Sequence, residues 1–276
     1  MNRIAYMPLN SYPEAVADDA VRAAAGFAAP LGVALHVTTF AVNIRQPASG
    51  LGGLVLDIPG MVHAAEERSQ ADCRRLGDIA REARASTSLT LSERTVMFGA
   101  ALDAAAQEAR YFDLSLLPWS GESVSARDMA ESVVFGSGRP TVLVPPSARA
   151  EKVNHLAIAW DGSRVASRAL GDALGLLPDG SRITVLTVQD EKRLSGQGIA
   201  GVLASSLSNR GFAAQAVEIL LGGRTIAGAL QEEARQKGAS LLAMGGFGHS
   251  RLRDFVLGGA TKGVFSDLRL PVLLSH

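Results

Sequence analysis

Short apolar runs rich in β-branched residues alternate with alanine-rich helical runs along this chain, and the series runs twice. The first set of strand candidates is Arg3–Met7, Gly32–Phe40, Ser92–Met97, Leu114–Pro118 and Thr141–Val144. The second is Leu156–Trp160, Arg182–Val188, Ala216–Leu221, Leu241–Met244 and Val272–Ser275. Between them the pattern predicts helices over Pro13–Ala28, Met61–Ala85, Ala100–Arg110, Arg164–Leu176, Gly198–Arg210, Thr225–Lys237 and Ala260–Leu268. Strands separated by helix-length segments pair in parallel and are covered by helices on both faces. The polar, proline-rich "PPSARAEK" (Pro145–Lys152) divides the chain into residues 1–147 and 152–276. Each part is expected to hold five strands, and the two to pack as a pseudo-dimer within the chain.

The two parts also share letters. "EARYFDLSLLP" (Glu108–Pro118) resembles "EARQKGASLLA" (Glu233–Ala243) at one fixed offset, and "RPTVLVP" and "LPVLLSH" end the two parts. On that match, Ser115 to Pro140 spans 25 positions and Ser240 to Pro271 spans 31. Six residues are then missing from the first part, and Ser120 and Ser123 stand where the second has Gly245 and Gly248. The first part carries its own glycine-rich insert, Gln46–Gly60.

Composition excludes several classes of partner. Lys+Arg and Asp+Glu each total 27, and aromatic residues make up 5%. Neither a basic surface nor base-stacking platforms are expected, so nucleic acid is not an expected partner. No apolar run reaches the roughly 18–20 residues of a membrane span. A single cysteine, Cys73, cannot close an intrachain disulfide, which fits a cytoplasmic protein. No His/Cys/Asp/Glu set has metal-ligand spacing, and no nucleophile elbow or Ser/His/Asp set is recognisable.

The stretch most suggestive of chemistry is "MGGFGHSRLRDFVLGGATKGV" (Met244–Val264), with glycines at G-x2-G-x9-G: Gly245, Gly248 and Gly258. It leaves a strand and ends at a helix start. Unpaired N–H groups and the helix dipole favour an anion at such a helix start, and glycines let the backbone approach a phosphate. In "AIAWDGS" the chain places Asp161 just past the first strand of the second part. There it either accepts hydrogen bonds from a ligand or caps a turn. If the strands before Asp161 and Gly245 are neighbours, both residues face one crevice.

These motifs resemble the universal stress protein family, and the resemblance covers nearly the whole chain as a tandem pair of domains. It implies two Rossmann-like, HUP-type α/β domains, each a five-stranded parallel sheet with helices on both faces. It implies a cytoplasmic stress-response protein that binds ATP, with or without magnesium, in the second domain. Carried over by position, Asp161 faces the adenosine, with Ala159 and Val188 near the base. Met244, Gly245 and Gly248 line the ribose and first phosphate. Gly258, Gly259, Ala260 and Thr261 hold the outer phosphates. His249 lies beside them, within reach of phosphate, and reads more simply as a solvated loop histidine. The family has Ser or Thr where this chain has Gly259, which removes one side-chain donor. The first domain lacks the pattern, with Leu9 and Asn10 in the region of Asp161, and is expected to bind no nucleotide in this way.

Phosphoryl transfer needs a metal-holding carboxylate and a group that positions the nucleophile. Neither is evident near the loop. The expectation is therefore a binder and switch, at most a weak ATPase. Two alternatives stay open: a slow ATP hydrolase, and a nucleotide-free scaffold for unknown protein partners. Further homodimerisation is left open too.

Overall fold

The computed structural model describes residues 3–45, 57–83, 88–121, 123–190, 198–246 and 259–276. In the first half, strands β1 (Ile4–Asn10), β2 (Ala34–Asn43), β3 (Leu89–Met97), β4 (Leu114–Pro118) and β5 (Thr141–Val144) alternate with α1 (Asp18–Phe27), α2 (Ile58–Ala83), α3 (Ala101–Ala109) and α4 (Val124–Gly136). In the second, β6 (His155–Ala159), β7 (Arg182–Val188), β8 (Ala213–Ile219), β9 (Leu241–Gly245) and β10 (Val272–Ser275) alternate with α5 (Arg164–Leu174), α6 (Ile199–Asn209), α7 (Ile226–Gln236) and α8 (Gly259–Ser266).

All ten strands form one sheet in the order β3-β2-β1-β4-β5-β10-β9-β6-β7-β8. Within each half every pairing is parallel. The halves meet at an antiparallel seam between β5 and β10, with Val272 opposite Leu143 and Leu274 opposite Thr141. The fifth strands of the two halves are thus paired with each other, as expected of a pseudo-dimer within the chain.

Helices cover both faces, so the central strands are buried on both sides and read as continuous apolar runs. One core layer packs α1, α2, α5 and α6 on the sheet, with Leu76, Leu170 and Leu207 among its residues. The other packs α3, α4, α7 and α8, with Met129, Leu230 and Phe265. Both layers run across the seam. Only β3 and β8, the sheet's edges, show largely exposed side chains.

Local chemistry starts the helices. Ser123, Ser163 and Thr225 accept hydrogen bonds from the backbone N–H of Ala126, Ala166 and Gly228, capping α4, α5 and α7. Close helix approach fixes two glycines. A Cβ at Gly263 would lie 2.5 Å from the Ala227 Cβ, and one at Gly136 would lie 3.0 Å from the Ala106 Cβ.

The switch points lie between β1 and β4 and between β6 and β9, where successive connections go to opposite sides. There the neighbouring strands part. β6 pairs with β9 as far as Ile158 and Ala243, and β1 pairs with β4 only at Ala5 and Tyr6. That parting lets Pro8, which has no N–H, sit inside β1 with β2 as its remaining ladder. Among the described residues, no helix is long and apolar enough to cross a membrane.

Candidate functional site

In the second half, three adjacent strands end side by side. Ala159 closes β6, Val188 closes β7, and Met244 and Gly245 close β9. Val188 and Met244 are buried and Ala159 is half-buried. Beyond β6 the chain stays tied to β7, since the Trp160 N–H donates to the Leu186 carbonyl at 2.8 Å. Asp161 then sits at the tip, followed by Gly162 at φ 76°, a left-handed turn that glycine adopts without strain. Asp161 Oδ1 accepts the Ser163 N–H at 2.9 Å. The carboxylate therefore shapes the turn into α5, the plainer of the two roles the sequence left open. The acceptor is held at the crevice all the same.

Gly245 meets a different constraint from the one its motif suggests. A Cβ there would lie 2.7 Å from Val165 Cγ2, 2.8 Å from the Val165 carbonyl carbon and 2.9 Å from the Ala166 nitrogen. The glycine lets the end of β9 rest against the first turn of α5. The next residue keeps to the sheet, with the Gly246 N–H donating to the Ser275 carbonyl at 2.7 Å. Gly248, His249 and Gly258 lie outside the described residues. Gly259, Ala260 and Thr261 form the first turn of α8. Thr261 is only 2% exposed. At Gly259 a Cβ would make one ordinary contact, 3.9 Å from Ile226 Cδ1. The structure thus brings Asp161, Gly245 and the α8 N-terminus to the carboxyl end of the sheet around one switch point. Among the described residues, no three His, Cys, Asp or Glu side chains gather to hold a metal.

The first half can be aligned to the second by its backbone hydrogen bonds. Ala34 donates to Arg3 as Arg182 does to Asn154, which places Asn10 at the position of Asp161. Ser115 donates to Pro140 as Leu242 does to Pro271, and Trp119 to Val144 as Gly246 to Ser275. Pro118 is therefore the counterpart of Gly245. The shared letters "EAR" and "SLL" are two residues out of this register, so Ser120 and Ser123 are not the counterparts of Gly245 and Gly248. Pro118 to Pro140 spans 22 positions and Gly245 to Pro271 spans 26, a deficit of four rather than six. The letters recur because helix ends and buried strands use similar residues, whereas the register is set by backbone pairing.

The expected loss of a phosphate turn takes a specific form. β4 reaches α4 through the five residues 119–123, whereas β9 reaches α8 through the thirteen residues 246–258. The Ser123 hydroxyl donates to Glu14 Oε2 at 3.3 Å while accepting from Ala126. A carboxylate of the chain itself thus lies at the α4 N-terminus, where the helix dipole favours negative charge.

Two histidines, buried His155 and half-buried His36, belong to the scaffold. His155 is 2% exposed and its Nε2 pairs with Thr184 Oγ1 at 2.9 Å. Burial, with the nearby Arg182, pushes its pKa down. His36 joins Ser92 and Glu108 in a cluster that strand spacing alone did not reveal. Ser92 Oγ lies 3.3 Å and Glu108 Oε1 3.8 Å from the same ring atom, Nε2. A relay needs serine and acid on opposite ring nitrogens, so this is no Ser-His-acid triad. Cys73 is buried, and burial raises its thiol pKa, which makes it inert.

Residues 152–276 match the model of the universal stress protein family. Comparison with curated proteins returns no match. Among solved structures, a universal stress protein from Archaeoglobus fulgidus is similar over 98% of this chain and 97% of its own, at 16% identity and a TM-score of 0.69. A functionally unknown protein from Pseudomonas aeruginosa is similar over 99% of this chain and 92% of its own, at 13% identity and a TM-score of 0.50. At these identities the structural likeness is one of fold. The family match thus covers the second half, residues 152–276, and the likeness of fold covers both halves.

Proposed function

We propose that the second domain, residues 152–276, binds an adenine nucleotide, ATP, in the crevice between β6 and β9, as a stress-response binder and switch. The observation that carries this is the convergence, at one switch point, of the Asp161 acceptor with the first turn of α8. Ala159, Val188 and Met244 offer an apolar wall for the base. Asp161 accepts from the adenosine. The backbone N–H groups of Gly259, Ala260 and Thr261 face the phosphates, with Gly248, His249 and Gly258 contributing from the connecting segment. The first domain, residues 1–147, is a scaffold that takes no nucleotide by this mode.

A fast phosphoryl transferase is disfavoured. Asp161 is committed to the base side and to its turn, and among the described residues no three His, Cys, Asp or Glu side chains gather to hold a metal. The protein works in the cytoplasm in this reading, and binding rather than turnover is its output.

Calorimetry of the full chain with ATP tests the reading: saturable heat is expected, and none at millimolar ATP overturns it. A sharper test uses Gly259→Ser. Among the described residues its Cβ meets only Ile226, at 3.9 Å, an ordinary contact that the fold can take. The added hydroxyl should tighten ATP about tenfold to a hundredfold, the worth of a hydrogen bond to a charged group, roughly 1.5–3 kcal/mol. Unchanged affinity would mean that phosphate does not reach the α8 N-terminus.

A further inference from the structure

We infer that the first half holds a small protonated amine with an apolar body, in the cleft at the carboxyl ends of β1, β2 and β3. The cleft measures about 200 Å³. That is below the roughly 300–1,000 Å³ of drug-sized sites, but an engineered cavity of about 150 Å³ already takes one benzene. Phe40, Val42, Val96 and Leu102 line it, and Phe98 and Val124 stand at its mouth, 63% and 70% exposed. Tyr12 meets Phe98 edge to face with ring centres 5.7 Å apart. Large apolar side chains left in water around a concavity mark a binding surface. The Tyr12 and Phe98 rings also suit a cation, through their negative faces.

The polar groups select the charge. Asn10, 7% exposed, occupies the position that Asp161 holds in the second half. Its Nδ2 donates to the Tyr12 carbonyl at 2.5 Å and to Ser125 Oγ at 3.0 Å. A backbone carbonyl can only accept, so the amide nitrogen must face it, and Oδ1 takes the other side. Oδ1 accepts no hydrogen bond among the described residues and is not sealed from solvent, which leaves an accessible acceptor for a donor entering the cleft. Two carboxylates line the same cleft, Glu14 and Asp128. Asp128 has no ion pair or hydrogen bond among the described residues. No lysine, arginine or histidine is among the described residues lining the cleft. The nearest cation over Phe40, Arg94 at 6.0 Å, is paired with Glu108 at 2.9 Å. A phosphate or carboxylate would meet like charge here. An ammonium on a ring or short chain meets acceptors and an apolar wall.

The test titrates the full chain, saturated with ATP so that the second half is accounted for separately, with phenethylammonium and with phenylacetate. These probes share a ring and differ in charge. Saturable binding of the amine, at least about tenfold tighter than that of the acid, is expected. Asp128→Asn should weaken the amine about two- to fivefold, the scale of an exposed charge pair. Val124→Arg changes a mouth residue that is 70% exposed, so the fold should stand. It should abolish amine binding and bring in the acid. Equal affinity for the two probes, no saturation by either in the millimolar range, or amine binding untouched by Val124→Arg would each overturn the inference. None of these outcomes depends on whether ATP binds the second half.

Discussion

The N-termini of α4 and α8 occupy equivalent places in the two halves, and each faces a crevice where neighbouring strands part. At α4 the chain arrives after five residues, and Ser123 and Glu14 bring a hydroxyl and a carboxylate to the helix end. At α8 it arrives after thirteen residues, on Gly259, with no capping side chain in the helix's first turn among the described residues. The first helix start supplies its own anion. The second, in the proposed function, receives one from the ligand. The strand tips differ in the same sense: Asp161 is an anionic acceptor beside glycines, whereas Asn10 is a neutral one beside an aromatic, acid-rimmed cleft. On the two proposals, one backbone plan carries opposite charge preferences through a few side chains and the length of one connection.

The largest expected effect tests whether Gly245 is a packing residue, as its counterpart Pro118 cannot be. Gly245→Ala forces a Cβ into the backbone at Val165 and Ala166. It should cost about 1–3 kcal/mol of stability in a denaturant titration, the usual range for overpacking. Gly259→Ala, with only Ile226 at 3.9 Å among the described residues, should cost far less. Equal costs would remove the distinction between the two ends of the glycine motif.

A second contrast lies at the start of the first strand of each half, where His155 in β6 stands opposite Ile4 in β1 by backbone register. His155 has a lowered pKa in the folded chain because it is buried. The unfolded chain therefore binds the proton more tightly. The resulting stability is fully present above the unfolded value near 6.5 and is lost as pH falls through the lower folded value. The slope from one such group is at most about 1.4 kcal/mol per pH unit. His155→Leu should flatten the melting temperature between pH 6.5 and 5, while changes at Ile4 should leave that slope alone.

The smallest effect concerns the helix caps. Ser123→Ala and Ser163→Ala each remove one cap and should each lower stability by about 1 kcal/mol. The nucleotide response should separate them. Ser163→Ala disturbs the turn that holds Asp161 and should weaken ATP, whereas Ser123→Ala should leave ATP heat unchanged. A new ATP site in Ser123→Ala would show that the capped α4 start, rather than the short connection, is what excludes phosphate from the first half.

Much of the fold was legible in the residues. Leu114–Pro118, Thr141–Val144, Arg182–Val188 and Val272–Ser275 form strands with the predicted limits, since each is a short buried run bounded by turn residues. β1 extends three residues past its predicted end at Met7, because the parting of β1 and β4 lets Pro8 stay in the sheet. α4 was not predicted. Its segment, "VSARDMAESVVFG", shows only weak helical segregation of apolar residues, and tertiary packing of Met129, Val133 and Val134 secures it. Of the candidate site, Asp161 and Gly245 were found for their neighbourhood at the crevice, but Gly245 had a packing reason that no spacing could show. The Asn10 cleft was invisible, because its walls come from β1, β2, β3 and two helix starts far apart in the chain.

By itself the sequence determined the alternation of strand and helix, its doubling, and the second half's resemblance to a known family, because burial periodicity, turn residues and short motifs are local properties. The tertiary structure alone decided the antiparallel seam of β5 with β10, the two-residue correction between the halves, and which side chains line the cleft at Asn10. Those depend on which backbone groups pair across the sheet and which side chains converge from distant segments, and neither is written in the order of residues along one strand.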